Sequence, residues 1–364
     1  MRRLYSLFML LFLCGCTNAV ESKEIVEIES KESIETTIDR SESVMESYEQ
    51  LTLYFKDFTL EENEQYYVGE ELEDLSSYQI SFDDPSIASF DDDYVTGLKE
   101  GNTIMNITSH GKVKKVNVSV VKQGSLSDSF VLDFHHLYGK KIACFGDSNS
   151  ADATYANKDK TYVSNIANYY NMTLTQNYSI GGTTATYMFK GSNIEKEYKN
   201  NTTAIDGCRK VYYACAKGEM RDVDYVFIAF GHNDQYFQPP ITVEGDDRYC
   251  VDDTFVSCNS YKGSYRYMIN VLRKANPNIR IIILNCTYSR YDKATPTSYS
   301  IGLTYADYRR ASQEVAEETK CKLIDPWDYL KDYYDGESKK YYYHDTVHLS
   351  VEGHKLLTEY LKNK

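Results

Sequence analysis

Four short polar stretches carry residue types suited to acyl transfer: Gly146-Asp147-Ser148, Asn177 to Thr184 with Gly181-Gly182, Gly231-His232-Asn233-Asp234, and Asp345-Thr346-Val347-His348. Acyl transfer needs a nucleophile, a base to take its proton, a group to orient that base and donors for the oxyanion. The order of these along a chain is free, because geometry defines the set. Taken alone, Gly-Asp-Ser is also ordinary turn chemistry. Its setting says more. Ile142 to Phe145 is a short apolar run that stops at Gly146, which reads as a buried strand ending in a loop. An open α/β sheet places its ligands at such strand ends.

The elements that must position these residues follow from the pattern after residue 139. Thr161 to Tyr170 reads as helix, Met172 to Tyr178 as strand, and Val223 to Phe230 as a strand buried on both faces. Tyr261 to Lys274 reads as helix, Arg280 to Asn285 as strand, Thr304 to Lys320 as helix and Lys322 to Asp325 as strand. Ser350 to Leu361 is a last helix with Ser350 as N-cap. Strands alternating with helices give a doubly wound parallel sheet over 139–364. Residues 187–222 and 235–260 interrupt the pattern and read as long loops that wall a substrate cleft.

The four blocks in this order resemble the SGNH (GDSL-type) hydrolase superfamily, over residues 139–364. The resemblance implies a three-layer α/β fold and a carboxylic ester hydrolase, with no cofactor and no metal. By it Ser148 matches the nucleophile, His348 the general base and Asp345 the carboxylate that orients it. The oxyanion would be held by the backbone N–H of Ser148, the backbone N–H of Gly182 and the side-chain amide of Asn233. Gly181 is the register rival of Gly182. Asp147 and Asp234 read as structural hydrogen-bond acceptors. After Ser148 the sequence departs from the family, with Asn149-Ser150 where many members have Ile-Thr, which puts substrate contacts in question.

A rival reading uses some of the same residues. His344 and His348 stand at i and i+4, and His354 follows six residues later, as in zinc peptidases. Asp345 stands where the Glu base should be, which weighs against it. His135-His136 offers a paired-His metal site, with a solvated junction as the plainer expectation. Cys144, Cys286 and Cys321 sit in or beside apolar strands and read as buried small hydrophobes. Cys208/Cys215 and Cys250/Cys258 are two possible bridges.

The N-terminal third reads as delivery and spacing. Met1-Arg2-Arg3 and the apolar Leu4 to Leu13 form a secretory signal too short to span a bilayer. Leu13-Cys14-Gly15-Cys16 resembles the bacterial lipoprotein processing box, which implies cleavage after residue 15, lipidation of Cys16 and membrane attachment by a lipid anchor. Residues 17–49 are rich in Ser and Glu and read as a disordered acidic tether. Residues 50–122 show short alternating runs, and Asp84-Pro85-Ser86-Ile87-Ala88, Val95-Thr96-Gly97 and Lys99-Glu100-Gly101 resemble the second group of bacterial Ig-like domains, a small β-sandwich read as a spacer. Residues 123–138 read as a linker.

The chain has 364 residues and a net charge of −14, which argues against nucleic acid as partner. Its 35 tyrosines suit a sugar-facing surface. Together these readings predict an esterase on the outer face of a bacterial membrane, acting on an acylated polysaccharide or other ester, most plausibly on O-acetyl groups. Alternatives are a lipid-acyl hydrolase and a non-catalytic glycan-binding or adhesion protein.

Overall fold

The central sheet is built from five parallel strands: β8 (Lys141–Gly146), β9 (Thr173–Asn177), β10 (Tyr225–Ala229), β11 (Arg280–Leu284) and β12 (Lys322–Ile324), in the order β12-β11-β10-β8-β9. The computed structural model describes residues 56–72, 75, 77–126, 129–130, 132–151, 160–186, 206–244, 259–289, 302–334, 339–362 and 364. The signal segment, Cys16, the tether and the first residues of the predicted 50–122 sandwich lie outside the described residues. Those that are described belong to one compact unit, Tyr48–Lys364.

Strand alternation divides the sheet residues between two cores. Ala143, Phe145, Val226, Ile228, Ile281 and Ile283 face one core, and Ile142, Cys144, Phe227, Ile282 and Leu284 face the other. The first is covered by α4 (Gly207–Ala216), α6 (Tyr261–Ala275) and α7 (Tyr305–Thr319). The second is covered by α3 (Tyr162–Tyr169), α8 (Trp327–Tyr334) and α10 (Val351–Leu361). Because both faces are covered, the strands read as near-continuous apolar runs. The strand order is doubly wound, and its order reverses between β8 and β10, the place where such sheets bind ligands.

Helix starts follow the sequence closely. Thr161, Ser260 and Ser350 cap α3, α6 and α10 through their side-chain oxygens, and Thr304 with Asp307 forms a capping box at the start of α7. Two of the helices that cover the sheet depart from expectation: α4 lies inside the predicted 187–222 loop, and α8 follows the last strand where no helix was expected.

The region before the sheet holds two small sheets. One has the order β1 (Phe58–Glu61), β7 (Lys112–Val121), β6 (Gly101–Ser109), β3 (Gln79–Phe82), and the other β2 (Gln65–Tyr67), β5 (Tyr94–Gly97), β4 (Ala88–Asp91). Leu60, Val95, Met105, Ile107, Val116 and Val118 fill one core. A short helix, α1 (Gly69–Leu72), adds Leu72 to it. The arrangement is compatible with an Ig-like β-sandwich. Asp92 and Asp93 both have positive φ, 47° and 66°, and close a two-residue hairpin between β4 and β5. That turn places the Tyr94 side, where the Ig-like pattern has Gly, in the strand.

Residues 123–138 are not a solvated linker. Phe130, Leu132 and Leu137 are buried in the core under α3, and α2 (Phe134–Leu137) is capped by Asp133. His136 is buried, with Nδ1 2.8 Å from Asp133 Oδ1 and Nε2 3.2 Å from the Thr59 carbonyl. The expected solvated His135-His136 junction is therefore replaced by a packed one. It joins the sandwich to the end of the sheet where strands begin. Arg280, the first residue of β11, pairs with Glu64 at 2.8 Å and Glu61 at 3.5 Å, and Tyr67 stacks on Tyr138 with centroids 3.7 Å apart.

Candidate active site

At the opposite end of the same sheet, β8 runs out at Gly146 into a tight loop. The Asp147 carboxylate accepts from Asn149 N–H at 3.0 Å, and the Asp147 carbonyl accepts from Ser150 N–H at 3.1 Å. This side-chain turn holds Ser148 out from the strand end. Burial pushes the Asp147 carboxyl up to about 7, opposed by the N–H groups of Asn149 and His232. It fastens the loop, as expected, and has no open face toward the cleft, being 2 % exposed.

The chain beyond β9 runs alongside this loop. Tyr178 N–H bonds the Cys144 carbonyl at 2.8 Å and Ile180 N–H bonds that of Gly146 at 3.2 Å. Thr183 N–H then closes a turn onto Ile180 at 3.3 Å, with Gly182 at φ 80°. A side chain is strained at that position, so the two adjacent glycines are not equivalent and Gly182 carries the turn. The N–H groups of Ser148 and Gly182 have no partner among the described residues.

After β10 comes α5 (His232–Phe237), entered through Gly231. Asn233 Nδ2 donates to the Thr183 carbonyl at 3.0 Å. A primary amide carries two N–H bonds, so one remains to serve a ligand. The neighbouring Asp234 is fully buried and accepts from Ala185 N–H, Thr186 N–H and Thr186 Oγ1 at 2.9, 3.2 and 3.0 Å. Burial raises its carboxyl to about 6. Asn233 and Asp234 thereby tie the Gly182 turn to α5.

The fourth block is a loop closed at its base. Tyr343 and Leu349 form an antiparallel bridge, His344 N–H bonds the His348 carbonyl at 2.9 Å, and Ser350 N–H bonds that of Tyr342 at 2.9 Å. A Cβ at Gly353 would lie 2.0 Å from the Tyr342 carbonyl oxygen, so only glycine lets α10 approach this base. Within the loop, Asp345 Oδ1 accepts from Val347 and His348 N–H at 2.7 and 2.8 Å, and Oδ2 lies 2.7 Å from His348 Nδ1. Partial burial works against the Asp345 charge, but the His348 and Val347 N–H groups and the His348 ring outweigh it and hold the carboxyl below its usual range. His348 Nε2 is 2.9 Å from Ser148 Oγ. With Nδ1–H donated to Asp345, Nε2 presents its lone pair to the Ser148 proton. A hydroxyl, an imidazole and a carboxylate in this relay can generate a nucleophile and return its proton to a leaving group.

Asn149 was not singled out by its sequence for this task. Its Nδ2 donates to the Val347 carbonyl at 3.2 Å and its Oδ1 accepts from Leu349 N–H at 3.1 Å. The side chain thus straddles His348 and turns away from the cleft. His232, also unforeseen, lies buried under the site, 3.0 Å from Thr287 Oγ1 and 3.3 Å from the Tyr305 hydroxyl. Burial, then the nearby His348, pushes it down to about 3, which keeps it neutral.

The rival metal readings do not assemble. His354 Nδ1 accepts from Tyr162 N–H at 3.3 Å on the buried face of α10, away from His344 and His348, and His348 is engaged by Ser148 and Asp345. No group of three or more metal-ligating side chains occurs among the described residues. Cys144, Cys286 and Cys321 are buried free thiols. Cys215 is also free while Cys208 is disulfide-bonded, so these two do not bridge each other. They lie seven positions apart on one helix, at opposite ends of α4, too far for the roughly 5.5–6 Å Cα separation that a disulfide prefers. Cys250 and Cys258 lie outside the described residues.

A doubly wound sheet with Ser148, His348 and Asp345 in a relay at its switch point is the arrangement of a serine hydrolase. Residues 144–356, more than half of the chain, match the GDSL-like lipase/acylhydrolase family. The chain belongs to that family and is an ester hydrolase. Similar solved structures include a Lactobacillus plantarum protein (16% identity, 62% of this chain and 96% of the other, TM-score 0.45). Another is a GDSL-like lipase fold from Bacteroides ovatus (15% identity, 61% and 95%, TM-score 0.39). A third is a variant of Axe2, an acetyl-xylooligosaccharide esterase from Geobacillus (18% identity, 61% and 92%, TM-score 0.38). No curated protein matches the sequence.

Proposed function

We propose that this protein is a lipid-anchored esterase on the outer face of a bacterial membrane that removes O-acetyl groups from a polysaccharide through an acyl-serine intermediate. The observation that carries the chemistry is the unbroken relay Ser148–His348–Asp345, with links of 2.9 and 2.7 Å. Ser148 Oγ attacks the ester carbonyl as His348 Nε2 takes its proton. Negative charge on the carbonyl oxygen is met by the N–H groups of Ser148 and Gly182 and the remaining amide N–H of Asn233. His348 then protonates the departing sugar oxygen as the C–O bond breaks, releasing the sugar hydroxyl. Water, deprotonated by His348, frees acetate and regenerates Ser148.

Two observations support the setting. The Asp345 and His348 side chains are 40% and 21% exposed, an open site that suits an acyl group carried on a bulky chain. Cys208 is disulfide-bonded, and structural disulfides belong to oxidising compartments, in keeping with the N-terminal signal and lipidation at Cys16.

The test uses the purified full chain on acetylated polysaccharides and on acyl lipids of increasing chain length, with acetate or fatty acid release as readout. Acetate release from the polysaccharide, lost in Ser148→Ala, is the expected result. Retained turnover in Ser148→Ala sinks the nucleophile assignment, and exclusive turnover of long-chain lipids sinks the substrate assignment. Labelling by acyl-chain feeding, abolished in Cys16→Ser, checks the anchor.

A further inference from the structure

Helix α5 carries the oxyanion amide Asn233, and three residues on it carries Tyr236. Residues at i and i+3 share a helix face. Long side chains on a helix lean back toward its N-terminus, so each covers the turn before its own Cα. Tyr236 is thus on the helix face of Asn233, and its ring meets that of Phe237 edge-on with centroids 5.1 Å apart. The other side chains around it are used up in packing: His232, Asp234 and Gln235 are buried. Tyr236 is 52% exposed.

An isolated exposed aromatic is common on protein surfaces. Three features separate this one. First, it shares an element with a residue of the reaction site. Tyr169 sits under the Lys362 ammonium at 3.6 Å, and Leu98 belongs to the sandwich, whereas Tyr236 lies on the same short helix as Asn233. Second, its backbone is fixed at both ends. Asp234 is bonded to residues 185 and 186. After the helix, Gln238 takes a left-handed conformation and exchanges two bonds of 2.8 Å with Leu303, and the Tyr308 hydroxyl bonds the Pro239 carbonyl at 2.7 Å. Third, tyrosine joins a rigid apolar face to a polar tip.

We propose that Tyr236 is a saccharide-stacking residue, the platform on which the sugar ring that bears the ester rests during hydrolysis. This rests on the carbohydrate-ester reading above. When the ester carbonyl oxygen sits at the Asn233 amide, the sugar carbon is only two bonds beyond the carbonyl carbon. Its ring must then lie within a few ångströms of the α5 surface. The C–H face of a pyranose is apolar and fits an aromatic face, while its hydroxyls stay at the rim within reach of water and of the Tyr236 hydroxyl. Binding energy gathered by this remote part of the substrate can be used to orient the ester. An ester without a sugar ring cannot draw on it.

The experiment compares kcat/KM for an acetylated oligosaccharide with that for ethyl acetate, which has no ring to stack, in wild type, Tyr236→Ala, Tyr236→Phe and Tyr236→Trp. The ratio of the two values should fall roughly tenfold in Tyr236→Ala, the order expected for loss of one stacking contact. It should stay within about threefold of wild type in the Phe and Trp variants. A ratio that does not move in Tyr236→Ala, whether both activities fall or neither does, overturns the assignment. If wild type cleaves ethyl acetate but no acetylated saccharide, the carbohydrate reading itself fails, and the platform with it.

Discussion

Ser148 and His348 stand 200 residues apart, yet their side chains meet at 2.9 Å. Asn149 registers them. Its amide bonds the backbone on both sides of His348, through Val347 and Leu349, so the loop that holds Ser148 also grips the loop that holds His348. Misplacing a base by about 1 Å can cost on the order of 100-fold in rate. Asn149→Ala should therefore lower kcat by roughly 10- to 100-fold with little change in KM, because no substrate contact is removed. Steady-state kinetics on an acetate ester, with a circular-dichroism check of folding, measures this. A rise in KM at unchanged kcat would instead make Asn149 a substrate contact. Ser148, Asp345, His348 and Asn233 stood out in the sequence because their side chains carry the proposed chemistry, whereas Gly182, offered for its backbone N–H, was named only through the resemblance. The clamp did not stand out, because both of its partners are backbone groups, which any residue supplies.

The same contrast holds for elements. Buried strands and capped helices were legible, since β8, β10 and β11 are apolar runs and α3, α6, α7 and α10 start at capping side chains. Helix α4 was hidden because its buried side mixes charge with apolar residues. Arg209 and Lys210 are buried beside Cys208, Val211 and Ala214, Arg209 against Asp206 and Lys210 Nζ on the Tyr178 carbonyl at 2.7 Å, while Tyr212 and Tyr213 are half-buried. Buried charges blur the apolar spacing by which a helix is read. Helix α10 hides a titrating group in the same way. His354 lies against α3, and burial pushes it down to about 4 from an ordinary 6.5. The folded state thus prefers the neutral ring. Between those values the unfolded chain binds the proton and the folded chain does not, so this contribution is present above 6.5 and is lost as pH falls through 4. From pH 7 to pH 5, urea denaturation should show the wild type losing about 2 kcal/mol more stability than His354→Asn, whose side chain can still accept from Tyr162 N–H. Equal losses in the two proteins would mean that His354 is protonated in the fold.

At the scale of the whole molecule, the sandwich was expected to be a spacer joined by a linker, and the packing makes it a foundation. The apolar cluster Phe130-Val131-Leu132, Phe134 and Leu137 is visible in the sequence, but which surface buries it is set by tertiary packing, and a short cluster without a helical or strand period does not name its partner. The joint lies where β8, β10 and β11 begin, and the reactive loops lie where β8 and β10 end, so the sandwich holds the site facing away from itself. Arg280 is the keystone. Its side chain is 12% exposed, those of Glu61 and Glu64 are 9% and 8% exposed, and its guanidinium lies 5.3 Å from the Phe130 ring centre. Removing one partner of a buried ionic cluster leaves the others charged and dry, which costs about 3–5 kcal/mol, whereas replacing all of them by neutral groups costs far less. Arg280→Met should therefore lower the melting temperature of both halves together, in a single calorimetric transition. Adding Glu61→Gln and Glu64→Gln to it should recover much of the loss, because the stranded carboxylates are gone. Two separate transitions in the wild type, or an Arg280→Met variant in which only the sandwich melts early, would return the sandwich to the status of an independent spacer.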